Sequence, residues 1–432
     1  MTAQFLRLRG LMKTPEAEES GSARKCLADP DSRTARRSLG DVGVLRCSEL
    51  AGVATNPPLL NDSTATFHFL EALRLMTPNE LQSCLSPVLD PEIGRGLGVL
   101  RMIKQASVKA DGTPQIEIEL PTPAYPNRGR LAEAAQAAIQ SRFPGSPKAE
   151  VTFSWSVRGK DSGGKIGLRI KNVIAVGSGK GGVGKSTTAA MLAYGLKSFG
   201  AKVGLMDADV YGPSIPMLCG CRDAGTPEMV NHQGPDGQSI PRIQPIEKDG
   251  LKILSMGFLI KEDQAVVWRG PMLHKLLTQF LAQTDWGDLD YLIIDLPPGT
   301  GDVSLTLSQL LGLAGAVVVC TPQKVALLDA VKALSMFGQV KIPVLGIVEN
   351  MTGEIFGRGG AKAQAEKSGI PFLGEVPIDV SIRVLGDDGR IGDLFSADSP
   401  VREALLGICQ NVAMQVAKSL LETPALPTLE IL

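Results

Sequence analysis

A glycine-rich segment between a β-branched run and a helix-forming run limits the folds open to this chain. Residues 173–187 have the sequence VIAVGSGKGGVGKST. The run before the glycines predicts a buried strand, and residues 188–198 predict a helix. Glycine is needed between them because a backbone that wraps phosphates and points its N–H groups inward leaves no room for a Cβ. The pattern G-x4-G-K-S at 179–186 therefore predicts a nucleoside triphosphate site in an α/β fold.

The loop itself supplies most of the predicted nucleotide contacts. We expect Lys185 to reach the β- and γ-phosphates and the Ser186 hydroxyl to ligate Mg²⁺. The alternative is a glycine-rich turn that matches by accident, and the flanking strand and helix argue against it. The predicted nucleotide-binding residues of the loop are Gly179, Lys180, Gly181, Gly182, Val183, Gly184, Lys185, Ser186 and Thr187.

Acidic residues end two further predicted strands. One apolar run ends in Asp207 and Asp209, and a second, at 290–295, ends in Asp295. Acids at the carboxyl ends of strands beside a phosphate loop lie where Mg²⁺ and an attacking water must bind. Asp295 is predicted to hold the Mg²⁺ shell, and residues 296–302 are predicted to form a switch that senses the γ-phosphate. For Asp207 and Asp209 a strand-end turn is the alternative.

Charge and cysteine content exclude several classes of function. The 432 residues include 44 Lys and Arg against 45 Asp and Glu, so bulk charge gives no case for binding nucleic acid or an anionic membrane. No apolar run approaches the roughly twenty residues needed to cross a bilayer. The seven cysteines are scattered and odd in number, which argues against a disulfide framework and predicts a reducing compartment, the cytoplasm.

Composition and periodicity divide the chain into five parts. Residues 1–75 lack periodicity and predict a disordered extension, for which a transit peptide or an over-extended start is the alternative. Residues 76–157 predict a small α+β domain, and residues 158–171 are a polar, glycine-rich linker. Residues 172–422 predict a mostly parallel, doubly wound α/β nucleotide-binding domain, and residues 423–432 a loose tail.

Five motifs of this domain resemble those of the Mrp/ApbC family of iron–sulfur cluster carrier ATPases. They are GKGGVGKS at 179–186, DADVYGPSIP at 207–216, WRGPM at 268–272, DLPPGTGD at 295–302 and VENM at 348–351. The early lysine of the loop also resembles that of the MinD/ParA/nitrogenase-iron-protein superfamily. The resemblance to the carrier family covers about residues 76–422.

The resemblance implies roles for individual residues. In the superfamily the early lysine reaches across a dimer interface to the partner's nucleotide, which makes Lys180 a predicted catalytic residue beside Lys185. Asp209 is implied to orient the attacking water, and Asn350 to contact the adenine edge. The implied activity is slow, dimer-dependent ATP hydrolysis by a homodimer that carries a bridging cluster to apoproteins. The implied magnesium ligands are Ser186, Asp207 and Asp295.

The chain departs from the family where the cluster ligands are expected. Family members usually have Cys-x-x-Cys between E-N-M and I-F-G-x-G-G, so that two protomers supply four thiolates. Residues 350–360 of this chain are NMTGEIFGRGG and contain no cysteine. Cys219 and Cys221 form the one close pair and are the candidate iron–sulfur ligands. Structural thiols without a ligand role are the alternative for both.

The predicted small domain resembles a scaffold domain of iron–sulfur assembly proteins. Residues 85–94 match its V-x-D-P-E-I opening. That domain often carries a cysteine in a T-x-P-x-C-P turn, and this chain has Tyr125 at the cysteine position, so no cysteine chemistry is expected there. Asp90 and Glu92 are either functional or residues that cap a helix or a turn.

Two functions from different classes follow from these observations. The first is an ATP-dependent iron–sulfur cluster carrier. The second is an ATP-switched dimeric scaffold or adaptor in iron–sulfur assembly that carries no cluster itself. A MinD-like membrane switch is not expected, because residues 424–432 contain two prolines and no Lys or Arg. A ParA-like DNA partner is not expected either, because the sequence has no basic patch.

Overall fold

The computed structural model describes residues 76–159, 169–233, 238–258, 270–299 and 302–422, and all of them belong to one compact unit. The extension predicted at 1–75 and the tail predicted at 423–432 lie outside the described residues, as does most of the predicted linker.

A three-stranded sheet and two helices form the first part of the described chain. The sheet order is β1 (Ile103–Val108), β2 (Pro114–Leu120) and β3 (Glu150–Trp155), with β1 antiparallel and β3 parallel to β2. Helices α1 (Pro78–Leu85) and α2 (Arg128–Arg142) share an apolar core with β2, whose alternate residues are buried. This α+β arrangement agrees with the strand and helix patterns of the sequence.

The larger sheet has eight strands in the described part of the chain. Its order is β13-β12-β11-β4-β10-β5-β9-β8, parallel throughout except for the edge strand β8. Its strands are β4 (Ile170–Gly177), β5 (Val203–Asp207), β8 (Ile246–Lys248), β9 (Leu251–Ser255), β10 (Leu289–Asp295), β11 (Gly315–Cys320), β12 (Val344–Thr352) and β13 (Phe372–Pro377). A separate antiparallel hairpin pairs β6 (Met229–Gln233) with β7 (Ser239–Ile243).

Helices pack on both faces of this sheet. The residues of β4 alternate between two apolar cores, one on each face of the sheet. Ile174 and Val176 belong to one core, and Val173 and Ala175 belong to the other. The fold is therefore the predicted doubly wound α/β class. The helices are α3 (Lys185–Ser198), α4 (Ile215–Leu218), α5 (Gly270–Gln283), α6 (Asp302–Leu310), α7 (Lys324–Gln339), α8 (Gly360–Ser368), α9 (Val380–Asp387) and α10 (Arg402–Glu422).

The long helix α10 is the one described helix that is apolar enough, by length and composition, to cross a membrane. In the fold it packs against β13 and against α3, and residues such as Val412 and Ala413 are fully buried in the core. A helix of this composition is equally typical of a protein interior.

Candidate nucleotide-binding site

The predicted site lies where three neighbouring parallel strands end. Asp295, the last residue of β10, is in register with Val176 of β4 on one side and with Asp207 of β5 on the other. The glycine-rich loop leaves β4 at the same edge and leads into α3 at Lys185. The carboxyl ends of parallel strands thus bring the loop and the acidic residues together, although they are far apart in sequence.

Two glycines of the loop are required by close approaches. Gly184 has φ +80°, and a Cβ at this residue would lie 2.1 Å from Nδ2 of Asn350. A Cβ at Gly179 would lie 2.0 Å from the backbone oxygen of Asp329 in α7. No other residue type fits either position, so the loop is held between α7 on one side and β12 on the other.

Lys185 is buried and paired with acids. Its Nζ donates a hydrogen bond to Oδ1 of Asp295 at 2.6 Å and lies 3.5 Å from Oδ2 of Asp209. It also lies 3.2 Å from the Ser186 hydroxyl. A buried ammonium is tolerated only when it is paired, so the two carboxylates account for the burial of Lys185.

Asp207 is held by neighbouring elements. Its carboxylate accepts hydrogen bonds from the Ser255 hydroxyl at 2.9 Å and from the backbone N–H of Ile215 and Asp209. Burial and the nearby Asp295 carboxylate raise the pKa of Asp207 to about 7. Sequence reasoning did not select Ser255, although a polar residue at the end of a buried neighbouring strand is the signal that finds it.

The acidic residues fit a divalent cation. Oδ2 of Asp295 is buried and has no hydrogen-bond partner within the described ranges. Burial raises the pKa of Asp295, and the Lys185 ammonium opposes that rise. A buried carboxylate oxygen without a partner, beside a second carboxylate and a serine hydroxyl, is a donor set that Mg²⁺ prefers.

Asp209 lies at the same edge but makes other contacts. Its Oδ1 accepts hydrogen bonds from the backbone N–H of Tyr211 and Gly212, and its Oδ2 faces Lys185. The turn after β5 therefore holds Asp209 beside the loop. Lys180 is half-buried, and its carbonyl accepts a hydrogen bond from the Ser178 hydroxyl.

Asn350 contacts the loop from β12. Its Nδ2 donates to the Val183 carbonyl at 2.8 Å, and the residue is buried. The preceding residue, Glu349, accepts hydrogen bonds at 2.7 Å from the backbone N–H of Gly359 and of Ala361, at the start of α8. The turn at 353–357, which follows β12, closes through two backbone hydrogen bonds between Gly353 and Gly357.

The structure does not bring Cys219 and Cys221 to this edge as exposed ligands. Both residues are buried, and burial raises the pKa of both thiols, that of Cys221 to about 11. Cys320 and Cys409 are buried as well. Among the described residues, no group of three or more His, Cys, Asp and Glu side chains is placed to hold a metal ion.

The small sheet holds Tyr125 in a buried contact. Its hydroxyl donates to Oδ2 of Asp90 at 2.7 Å, and burial raises the tyrosine pKa. The other carboxylate oxygen of Asp90 accepts from the backbone N–H of Glu92 and Ile93, so Asp90 stabilises the D-P-E turn.

The fold and the loop together define a P-loop nucleoside triphosphatase of the α/β class. The family model described as the NUBPL iron-transfer P-loop NTPase of the ParA group matches residues 169–413, and that of an iron–sulfur cluster assembly protein matches residues 79–153. The chain therefore belongs to the NUBPL-type iron-transfer P-loop NTPases, which confirms the family relationship predicted from the motifs.

Curated relatives carry related names. An iron–sulfur cluster carrier protein of Synechocystis sp. is 41% identical over 364 residues, which is 80% of this chain and 100% of the relative. The iron–sulfur cluster carrier protein of Escherichia coli K12 is 42% identical, over 80% of this chain and 93% of the relative. The iron–sulfur cluster transfer protein NUBPL of Dictyostelium discoideum is 46% identical, over 57% of this chain and 77% of the relative.

A solved structure is also similar. It is a nucleotide-binding protein of Archaeoglobus fulgidus in complex with ADP, 38% identical, with a TM-score of 0.44. The similarity covers 55% of this chain and 95% of that one.

Proposed function

We propose that this chain is an ATP-hydrolysing iron–sulfur cluster carrier that works as a homodimer and delivers clusters to apoproteins. The observation that carries the nucleotide part is the set of Lys185, Asp209 and Asp295 at one sheet edge, with Lys185 paired to both acids. The cargo is inferred from the printed names of relatives that cover most of the chain.

Each side chain at this edge has a proposed role with ATP. Lys185 exchanges Asp295 for the β- and γ-phosphates, and the loop N–H groups bind the remaining phosphate oxygens. Ser186, Asp207 and Asp295 would hold Mg²⁺, which supplies charge neutralisation at the phosphates. Asp209 orients the attacking water. Asn350 uses one N–H on Val183, which leaves a second N–H and its carbonyl oxygen for the adenine edge.

The homodimer is supported by apolar side chains beside the loop. Helix α7, which packs on Gly179, exposes Val325, Leu328 and Val331 at intervals of three residues, so they share one face. A run of exposed apolar residues on one helix face is typical of an interaction surface. In this proposal the face lies at the subunit boundary, and Lys180 of each protomer reaches the nucleotide of its partner.

The second candidate, an ATP-switched scaffold or adaptor that carries no cluster, is favoured by the cysteines. The residues that usually carry Cys-x-x-Cys form a closed turn without cysteine, and Cys219 and Cys221 are buried. Thiols that stay protonated are poor iron ligands, because the thiolate is the form that binds metal.

Anaerobic reconstitution of the full chain with iron and sulfide separates the two candidates. The carrier role predicts iron and acid-labile sulfide bound to the dimer and transferred to an apoprotein. Loss of both in the double variant Cys219→Ser/Cys221→Ser, but not in Cys320→Ser, would assign the ligands. Persistence in the double variant would move the ligands to other cysteines, and absence of bound iron from the unmodified chain would contradict the carrier and support the scaffold.

A further inference from the structure

A turn of the small sheet is buried between the two sheets. Residues 121–125, which follow β2, are all buried, and residue 126 is half-buried. Connecting segments normally lie on the surface because their backbone groups need water. We call these five residues the Thr122 turn. Its burial indicates that it packs against both sheets.

Consecutive residues of the turn pack into different apolar cores. Ala124 belongs to the apolar core that contains Ile174 of β4 and Tyr291 of β10. Tyr125 belongs to the core of the small sheet and bonds Asp90 there. The Thr122 hydroxyl accepts a hydrogen bond from the Tyr291 hydroxyl at 3.1 Å, and both side chains are buried. The turn thus joins the two cores.

Helix α10 makes a second connection. Along most of its length it packs on β13 and α3, but Met414 belongs to the core of the small sheet and Leu421 packs against it. Arg95 donates a hydrogen bond to the Leu421 carbonyl of α10 at 3.0 Å. The contacts of Met414 and Leu421 with this core are apolar, and an apolar interface opposes independent motion of the two parts.

These contacts fix the small sheet at the end of the large sheet opposite the nucleotide. Tyr291 lies four residues before Asp295 in β10, a separation of about 13 Å along a strand. A Cβ on Gly200, in the turn before β5, would lie 3.7 Å from the Trp155 ring. The small sheet therefore adjoins the amino ends of the strands whose carboxyl ends hold the loop and the acids.

We infer that the two sheets unfold as one cooperative unit, joined by the Thr122 turn and α10. Nucleotide bound at the loop then lowers the unfolding equilibrium constant of the small sheet by the same factor as that of the large sheet. The reason is that a ligand that binds only the native state stabilises every residue that unfolds together with its site. The small sheet is thereby a fixed part of the nucleotide-binding unit, not a module on a flexible tether. The first experiment below uses nucleotide and therefore rests on the proposed function. The second experiment uses no nucleotide and does not rest on it.

The first arm is native-state hydrogen exchange of the full chain, followed by mass spectrometry with and without ADP and Mg²⁺. With free ADP at 100 times its Kd, we expect the slowest amides of β2 and of β4 to gain protection equally, about 100-fold. If ADP and Mg²⁺ increase the protection of β4 amides against exchange but not that of β2 amides, the inference is overturned. Protection gained in neither would contradict nucleotide binding, and the second arm then decides the inference alone.

The second arm uses buried-leucine variants without nucleotide. Leu192→Ala removes a buried side chain of α3, and Leu131→Ala removes one from the core of the small sheet. We expect each variant to lower the protection of β2 and β4 by the same factor, while Leu305→Ala, at a half-exposed leucine, leaves both unchanged. A loss confined to the sheet that carries the substitution would overturn the inference.

Discussion

At the scale of single residues, the site is organised by charge burial. Lys185 is almost fully buried, and its Nζ has two carboxylates within 3.5 Å, that of Asp295 at the end of β10 and that of Asp209 in the turn after β5. The loop motif predicts which lysine binds phosphate, but not which side chains of the protein pair with it. That information is tertiary, because Asp295 ends β10, which pairs with β4, and Asp209 follows β5, which pairs with the other side of β10.

Replacing Lys185 with alanine should remove nucleotide binding. The variant loses a charge-assisted contact to the phosphates worth roughly 3 kcal/mol, so we expect the Kd for ADP with Mg²⁺ to rise more than 100-fold. Isothermal titration calorimetry measures this, with Lys197→Ala at the far end of α3 as the matched control. A folded Lys185→Ala protein that binds ADP as tightly as the control would refute the assignment of the loop.

The thiols of Cys219 and Cys221 should be nearly inert in the folded protein. With the pKa of Cys221 raised to about 11, only about one thiol in a thousand is ionised at pH 8, and raising the pH toward 11 should increase the reaction rate. Mass spectrometry after timed iodoacetamide labelling measures each residue, with the urea-unfolded chain as the control. Rapid labelling of both residues in native protein at pH 8 would show that they are exposed thiolates, as cluster ligands require.

At the scale of elements, the sequence predicts buried parallel strands well. β4, β10 and β11 are continuous apolar runs, and such runs are typical of strands covered on both faces. Short β-like runs at 240–246 and 251–255 predict β7 and β9. The sequence does not predict β6, which is exposed along its length, or α8, which alternates small and charged residues, and it does not predict α9. Helix α8 begins where Glu349 binds its first N–H groups, a contact that spacing along the chain cannot reveal.

The apolar face of α7 should be required for dimer formation. Val325→Asp places a charge among Leu328 and Val331, and burying that charge at a subunit boundary costs several kcal/mol. We therefore expect the variant to stay monomeric in ATP and Mg²⁺ by analytical ultracentrifugation. Val99→Asp is the matched control, since Val99, in the turn before β1, is 75% exposed and Val325 is 67% exposed. A dimer of unchanged stability in Val325→Asp would place the interface elsewhere.

At the scale of the whole molecule, the nucleotide edge and the small sheet occupy opposite ends of one sheet. The sequence predicts both the nucleotide-binding domain and the small α+β domain, because each has its own periodic pattern of apolar residues. They do not predict how the parts meet, since the Thr122–Tyr291 bond joins residues 169 positions apart. From the sequence, Tyr125 in the T-x-P-x-C-P turn indicates only that the usual cysteine is missing. In the structure it is a buried anchor on Asp90.

In the proposed function, two copies of this loop hydrolyse ATP together. The most direct measurement is the ATP turnover of the unmodified chain per protomer across a wide range of protein concentration, with Lys180→Ala in parallel. We predict slow turnover that rises with concentration and levels off once the protein is dimeric, while Lys180→Ala binds ATP but stays at the low value. ATP turnover per protomer that does not change with protein concentration would contradict dimer-dependent hydrolysis. So would a turnover in Lys180→Ala equal to that of the unmodified chain.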